Sequence, residues 1–437
     1  MGTITATAMV RPQQPRDDQG GGRAAPPQQA EVRTLKPQRV LGVAIAASLA
    51  LWFCLVVTIG GVFHRAAPAV VLAVYPFDAR AQSELAFAAL AADAKAPRLS
   101  EAKDLASAAL RRSPANVAAV RTLALVSAFQ KDQERALHLF RYAHKLSRRD
   151  LATQLWLIEH QAASGSIEGA LHHFDIALRT SRAAPSILFP VLISAAEDPA
   201  ISGPVNKLLR QKPFWWRAFV PELVAQSKSP QTLVRVTAGL FNPIVEEDRA
   251  ALQYLLNRLV EQRRPDLAWK AYREALTRHP GKITLATVID GQFDDNSSYA
   301  IPPFGWTLAE DGDLSAVRQW TGSASDTSAL FLSARNGRGG EVARQLLLLP
   351  PGTFRLSAIA GNVSASTSER PAMSIVCAHD LSMLYKLPFP PAGAEGQHFT
   401  GRFTVPSHCN AQWLRVELRS VGTTEGVWLD DVQIRPI

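Results

Sequence analysis

The 437 residues, 47% hydrophobic and 19% charged, are enough for two or three domains with sizeable buried cores. The net charge of +9 is unevenly spread: residues 1–39 carry 6 basic and 3 acidic groups, residues 64–287 carry 30 and 20, and residues 288–437 carry 11 and 15. An acidic last third excludes a uniformly basic nucleic-acid coat, three cysteines exclude a disulfide-stapled miniprotein, and one long apolar run excludes a polytopic transporter.

Residues 1–39, with QQP, GGG and APPQQ among scattered arginines, hold too little apolar surface to fold and read as a disordered cytoplasmic tail. Residues 40–63 contain no charge and, as a helix, would span about 36 Å, more than the hydrocarbon thickness of a bilayer. Small residues follow at Ala66, Ala67 and Ala69, as a cleaved signal peptide requires, but the length favours an uncleaved signal anchor. Arg33, Lys36 and Arg39 precede the span, whereas only His64 and Arg65 follow it closely. The positive-inside bias then puts the amino terminus in the cytoplasm and everything beyond a linker at 64–83 on the other side. The expected location is a bacterial inner membrane with the later domains in the periplasm. Sequons at Asn296 and Asn362 leave a eukaryotic lumenal protein as the alternative.

A 34-residue period runs through the helical middle, residues 84–287. It relates Ala102, Ala136 and Ala170; Ala109, Ala143 and Ala177; Ala106, Phe140 and Phe174; and Leu123 with Leu157. Within a unit these fall at i, i+4 and i+7, one stripe of a helix. A further block, LAWKAYREALTRHP, places Ala268, Tyr272, Ala275, Leu276 and Pro280 at the offsets of Ala102, Ala106, Ala109, Leu110 and Pro114. The pattern resembles the tetratricopeptide repeat, most clearly over 84–181 and 246–281. That resemblance implies helix–turn–helix units stacked as a solenoid that binds a protein, with the alanines and aromatics as core. The excess of basic residues suggests an acidic partner, or simply cations placed near helix ends at Arg111–Arg112 and Arg148–Arg149.

From residue 288 short alternating runs separated by Gly, Pro, Ser and Asn predict an all-β sandwich to the end of the chain. Phe354, Leu356 and Ala358 fall on one face of their strand; Leu414, Val416 and Leu418 fall opposite Trp413, Arg415 and Glu417. DGQFD at 290–294, Gly305–Trp306, the turn PPGTFRLS and the closing GVWLDDVQI resemble carbohydrate-binding-module-like, galactose-binding-type jelly rolls. The fold class is therefore multidomain: one transmembrane helix, an all-α solenoid and an all-β jelly roll.

In that family a structural calcium often joins the first and last strands, which makes Asp290, Asp294 and Asp431 the candidate ligands here, against a bland reading as turn and strand-end carboxylates. Cys377 and Cys409, an even pair in a domain placed outside the cytoplasm, read as a disulfide, with two separate thiols as the alternative. His379 and His408 stand beside them without the CxxC spacing of a zinc site. Sugar binding needs an aromatic face among planar polar groups, so Trp413, Arg415 and Glu417 are the glycan candidates. No GxSxG, HExxH or phosphate-loop motif occurs. The combined expectation is a non-enzymatic membrane-anchored scaffold in polysaccharide assembly or export, with a protein partner on the basic solenoid, a glycan on the β domain, no required cofactor and no nucleic acid. A glycan-active membrane enzyme, or its accessory subunit, is the alternative.

Overall fold

A computed structural model describes residues 37–92, 98–277, 288–294, 299–320, 328–335, 337–366, 370–418 and 424–437. The tail through Lys36, Pro280 of the last helical block and the sequon at Asn296 lie outside the described residues. The chain forms two compact units, Met1–Ala81 and Gln82–Ile437.

In the first unit, helix α1 (Pro37–Phe63) is, among the described residues, the one helix long and apolar enough to cross a membrane. Its side chains from Leu41 onward are nearly all exposed and apolar on every face, which suits hydrocarbon rather than a protein core. His64 Nδ1 donates to the Gly60 carbonyl and closes its last turn. The stretch expected as a linker is helical. Helix α2 (Pro68–Val74) begins with proline, whose missing N–H matters least in a first turn. Helix α3 (Ala79–Ala91), of which all but the first turn belongs to the second unit, is capped by Asp78 Oδ1, which accepts from the amides of Arg80 and Ala81. Seven residues are too few to display a helical period, so α2 has no sequence signature.

The second unit continues with α4 (Leu99–Arg112), α5 (Val117–Phe129), α6 (Gln133–Leu146), α7 (Leu151–Ala163), α8 (Ile167–Thr180) and α9 (Ala184–Ala196). The 34-residue spacing is structural. Ala102, Ala136 and Ala170 are buried on α4, α6 and α8, as are Ala106, Phe140 and Phe174 one turn on. Two further positions obey it. Asn116 and Asp150 both cap helix N-termini by accepting an amide three residues on, and Ser113, Ser147 and Ser181 all end helices in extended backbone. Gly165 occupies the left-handed turn position held by Lys131 one unit earlier (φ 77° and 64°).

The period fades through α10 (Pro199–Leu209), α11 (Trp216–Gln226) and α12 (Pro230–Thr237), which are shorter; α9, α10 and α11 carry internal prolines at Pro190, Pro204 and Pro221. Trp215 and Trp216 are buried, with Trp215 Nε1 donating to Asp175. Helices α13 (Glu246–Glu261) and α14 (Pro265–Leu276) restore the pattern: Ala268, Tyr272 and Ala275 are buried, and Arg263 takes the left-handed turn (φ 59°).

Among the described residues ten strands follow, paired antiparallel in two five-stranded sheets. Sheet one orders β1 (Thr307–Leu308), β4 (Gly340–Leu347), β9 (Gln412–Leu418), β6 (Ala372–Cys377) and β7 (Met383–Pro388). Sheet two orders β2 (Leu314–Trp320), β3 (Ser328–Ala334), β10 (Thr424–Pro436), β5 (Gly352–Gly361) and β8 (Gln397–Val405). Their inner faces share a core that includes Leu356, Met373, Leu414, Val416 and Leu429.

The sandwich is fused to the last helices by a common core. Ile301, Phe304, Leu346 and Ala411 belong to the same buried cluster as Leu255, Leu259, Ala268 and Tyr272. Phe304 packs against Trp269 and Tyr272 at ring-centre distances of 4.9 and 5.1 Å, and Tyr272 donates its hydroxyl to the Tyr299 carbonyl at 2.7 Å. Burial raises the Tyr272 phenol above its ordinary range.

Candidate functional site

Trp413, Arg415 and Glu417 do share the outer face of β9, with Leu414, Val416 and Leu418 buried behind them. Register builds three rows across sheet one. Leu346, Trp413 and Val376 form the first; Arg344, Arg415, Ser374 and Lys386 the second; Glu341, Glu417 and Ala372 the third. The first row is covered: Leu346 and Trp413 pack against the helical core, and the Arg344 guanidinium lies 4.8 Å from the centre of the Trp413 ring. The other two rows pair among themselves, Arg415 with Glu341 at 3.1 Å and Lys386 with Glu417 at 3.0 Å. Arg344 keeps a buried Nε without a protein acceptor among the described residues. The three residues therefore stand together, but the tryptophan serves the junction and its neighbours serve an ion-pair network.

The three aspartates do not form one donor set. Asp290 is buried and engaged by Arg318 at 2.6 Å, Asp294 accepts the Ser328 amide at 2.7 Å, and Asp431 accepts from Gln433. Among the described residues no group of three acidic, histidine or cysteine side chains is placed to hold a metal.

Cys377 and Cys409 are joined, with Cα atoms 5.7 Å apart. The bridge ties the end of β6 to the loop entering β9. Gln412, wholly buried, fixes that loop further: its Nε2 donates to the Cys409 carbonyl at 2.7 Å and its Oε1 accepts the Leu349 amide at 2.9 Å. The residues beside each cysteine, His379 on one segment and His408 and Asn410 on the other, thereby line one wall of a cavity of about 640 Å³. The turn between α13 and α14 supplies the opposite wall with Arg263, Arg264 and Asp266, and Trp269 lies beside them. Volumes of about 300–1,000 Å³ at a junction between domains are typical of small-ligand sites.

The polar groups are oriented. Arg263 Nη1 stands 3.3 Å from His379 Nε2, within hydrogen-bonding distance. Arg264 grips Asp266 with two bonds of 2.8 and 2.6 Å and holds that carboxyl below the usual range. A second junction cavity, of about 510 Å³, is walled mostly by leucine, proline and phenylalanine. Its buried amide, Gln345, is already engaged with both backbone groups of Ile289. Of these two cavities, the first joins an aromatic side chain to several planar hydrogen-bonding groups.

Sequence reasoning passed over Trp269, Arg263, His379, His408 and Asn410. A usable signal existed for the histidines: each flanks one cysteine of a pair already expected to close.

No protein-family model and no curated protein matches the sequence. Solved structures similar to the C-terminal β region include carbohydrate-binding modules and the enzymatically active domain of a bacteriophage CBA120 tailspike protein. One described as CBM4 is 20% identical, covering 34% of this chain and 99% of that chain with a TM-score of 0.26. A CBM22-1 xylan-binding domain from Paenibacillus barcinonensis is 12% identical, covering 34% and 92% with a TM-score of 0.25. A family 16 carbohydrate-binding module is 14% identical, covering 34% and 99% with a TM-score of 0.24.

Proposed function

We propose that this chain is a membrane-anchored, non-enzymatic glycan-binding protein, whose sugar site is the cavity between the α13–α14 turn and the Cys377–Cys409 wall. The observation that carries this reading is the convergence there of Trp269 with His379, His408, Asn410 and Arg263. An aromatic side chain takes the apolar side of a sugar ring, and planar amide, imidazole and guanidinium groups meet its hydroxyls. Hydrolysis of a glycosidic bond needs two carboxyl groups flanking it. The one carboxylate lining the cavity is Asp266, and it is held by Arg264, which favours binding over the alternative of a glycan-active enzyme.

In this reading α1 is a signal anchor with its amino terminus in the cytoplasm, and the helical and β regions work in the periplasm during polysaccharide assembly or export. The helical pairs are tetratricopeptide-like and recruit a protein partner of acidic character. No cofactor enters the reading.

The test is titration of the detergent-solubilised full chain with neutral oligosaccharides. Saturable binding is expected, weakened at least tenfold by His379→Ala with His408→Ala and by Asn410→Ala alone. Absence of saturable binding at millimolar sugar, or binding untouched by these changes, overturns the assignment.

A further inference from the structure

On the outer face of sheet two, Arg402 on β8, Arg355 on β5 and Arg435 on β10 stand directly opposite one another, Arg402 against Arg355 and Arg355 against Arg435. All three are exposed, while the residues alternating with them, Phe354, Leu356, Phe403 and Ile434, are buried. With strands about 4.8 Å apart, the ladder crosses roughly 10 Å of surface. Like charges directly opposed across strands are destabilising.

Among the described residues no carboxylate pairs with any of the three arginines, and Arg435 donates only to Gln433 Oε1, at 2.6 Å. The surrounding residues 288–437 contain 15 acidic against 11 basic groups, so carboxylates are plentiful but placed elsewhere. The rows on either side are uncharged hydrogen-bonding groups. Gln433, Ser357 and Thr400 are aligned on one side, and Thr353 with Thr404 on the other, their hydroxyl oxygens 3.3 Å apart.

We propose that this ladder binds an acidic polysaccharide, laid across β8, β5 and β10 with its carboxylates on Arg402, Arg355 and Arg435. The guanidinium fork matches a carboxylate with two parallel bonds. The flanking hydroxyl and amide rows suit sugar hydroxyls on either side of each charge, and an open surface suits a long chain rather than a small enclosed anion. The choice of a glycan as occupant rests on the function proposed above, but the surface is separate from the junction cavity.

The experiment uses the full chain in non-ionic detergent, with polygalacturonate as the acidic probe and its fully methyl-esterified form as the neutral one. Binding of polygalacturonate alone, weakening steeply with added salt, is expected. Arg355→Gln with Arg402→Gln should lower that affinity at least tenfold, leave neutral-oligosaccharide binding at the junction unchanged, and keep the melting temperature at or above that of the parent chain, since the substitutions remove opposed like charges. Replacing two exposed basic residues of the helical region, Arg141→Gln with Lys145→Gln, should change polygalacturonate affinity less than twofold. The proposal is overturned if the ladder variant binds polygalacturonate normally, or if the helical variant loses as much. It is also overturned if the ladder variant loses only its binding to phosphatidylglycerol vesicles, which would make the ladder a membrane contact. Loss of junction binding with an intact ladder response, or the reverse, separates the two assignments.

Discussion

Replacing Phe304 with alanine should destabilise the last helices and the sandwich together. The side chain is 2% exposed and sits in the core shared by α13, α14 and sheet one, against the rings of Trp269 and Tyr272. Truncation of a buried phenylalanine costs about 3–5 kcal/mol from lost transfer energy and the cavity left behind. Phe304 belongs near the upper end, because aromatic neighbours anchored on a helix and by the Tyr272–Tyr299 bond cannot collapse inward. Amide hydrogen exchange on the full chain is the suitable assay, since it reads each segment separately. Where exchange follows opening equilibria, 3–5 kcal/mol is a loss of protection of roughly a hundred- to several-thousand-fold. That loss should appear alike in peptides from α13–α14 and from β4 and β9. Protection falling in the sandwich alone, with α13–α14 unchanged, would refute the single shared core.

Two further outcomes follow from other sites. Converting Cys377 and Cys409 to serine opens a loop between residues 32 apart and should lower stability by about 3.7 kcal/mol in the chain-entropy account, read as a shift of the denaturation midpoint; an unchanged midpoint refutes it. His173 donates Nδ1 to Gln154, whose Nε2 in turn donates to His144; burial first, and then the neighbouring His144 and His172, lower His173 to about 4. The unfolded chain therefore takes up a proton between pH 6.5 and 4 that the folded chain refuses, so this contribution is full above pH 6.5 and is lost as pH falls toward 4. His173→Gln should flatten that part of the stability–pH curve. Asp430, raised to about 6 by burial and by Asp294 and Asp431, acts in the opposite sense, so the comparison is cleanest in an Asp430→Asn background.

The helical array was legible because its packing is local and periodic. A small residue at Ala102 predicts one at Ala136, and both are buried where their helices cross. Face alternation in β9 was equally readable, since successive strand residues must point opposite ways. What covers a face is not encoded in that alternation: Trp413 looked like a free platform, and the helical core lies against it. Asp290 likewise looked available until Arg318, 28 residues on, came beside it. The meeting of the cavity's two walls had no local signal, because Arg263 and His379 come together across 116 residues of chain. Only the cysteine pair pointed to one of its walls.

That wall also makes the geometry of the cavity depend on the redox state of its surroundings. The two segments bearing His379, His408 and Asn410 are brought into line by a bond that forms only where thiols are oxidised. Under reducing conditions the strands would retain their hydrophobic pairing, yet the histidine-bearing rim would have no covalent clamp. One pair of sulfur atoms thus couples the shape of the cavity to the oxidising power of the solution around it.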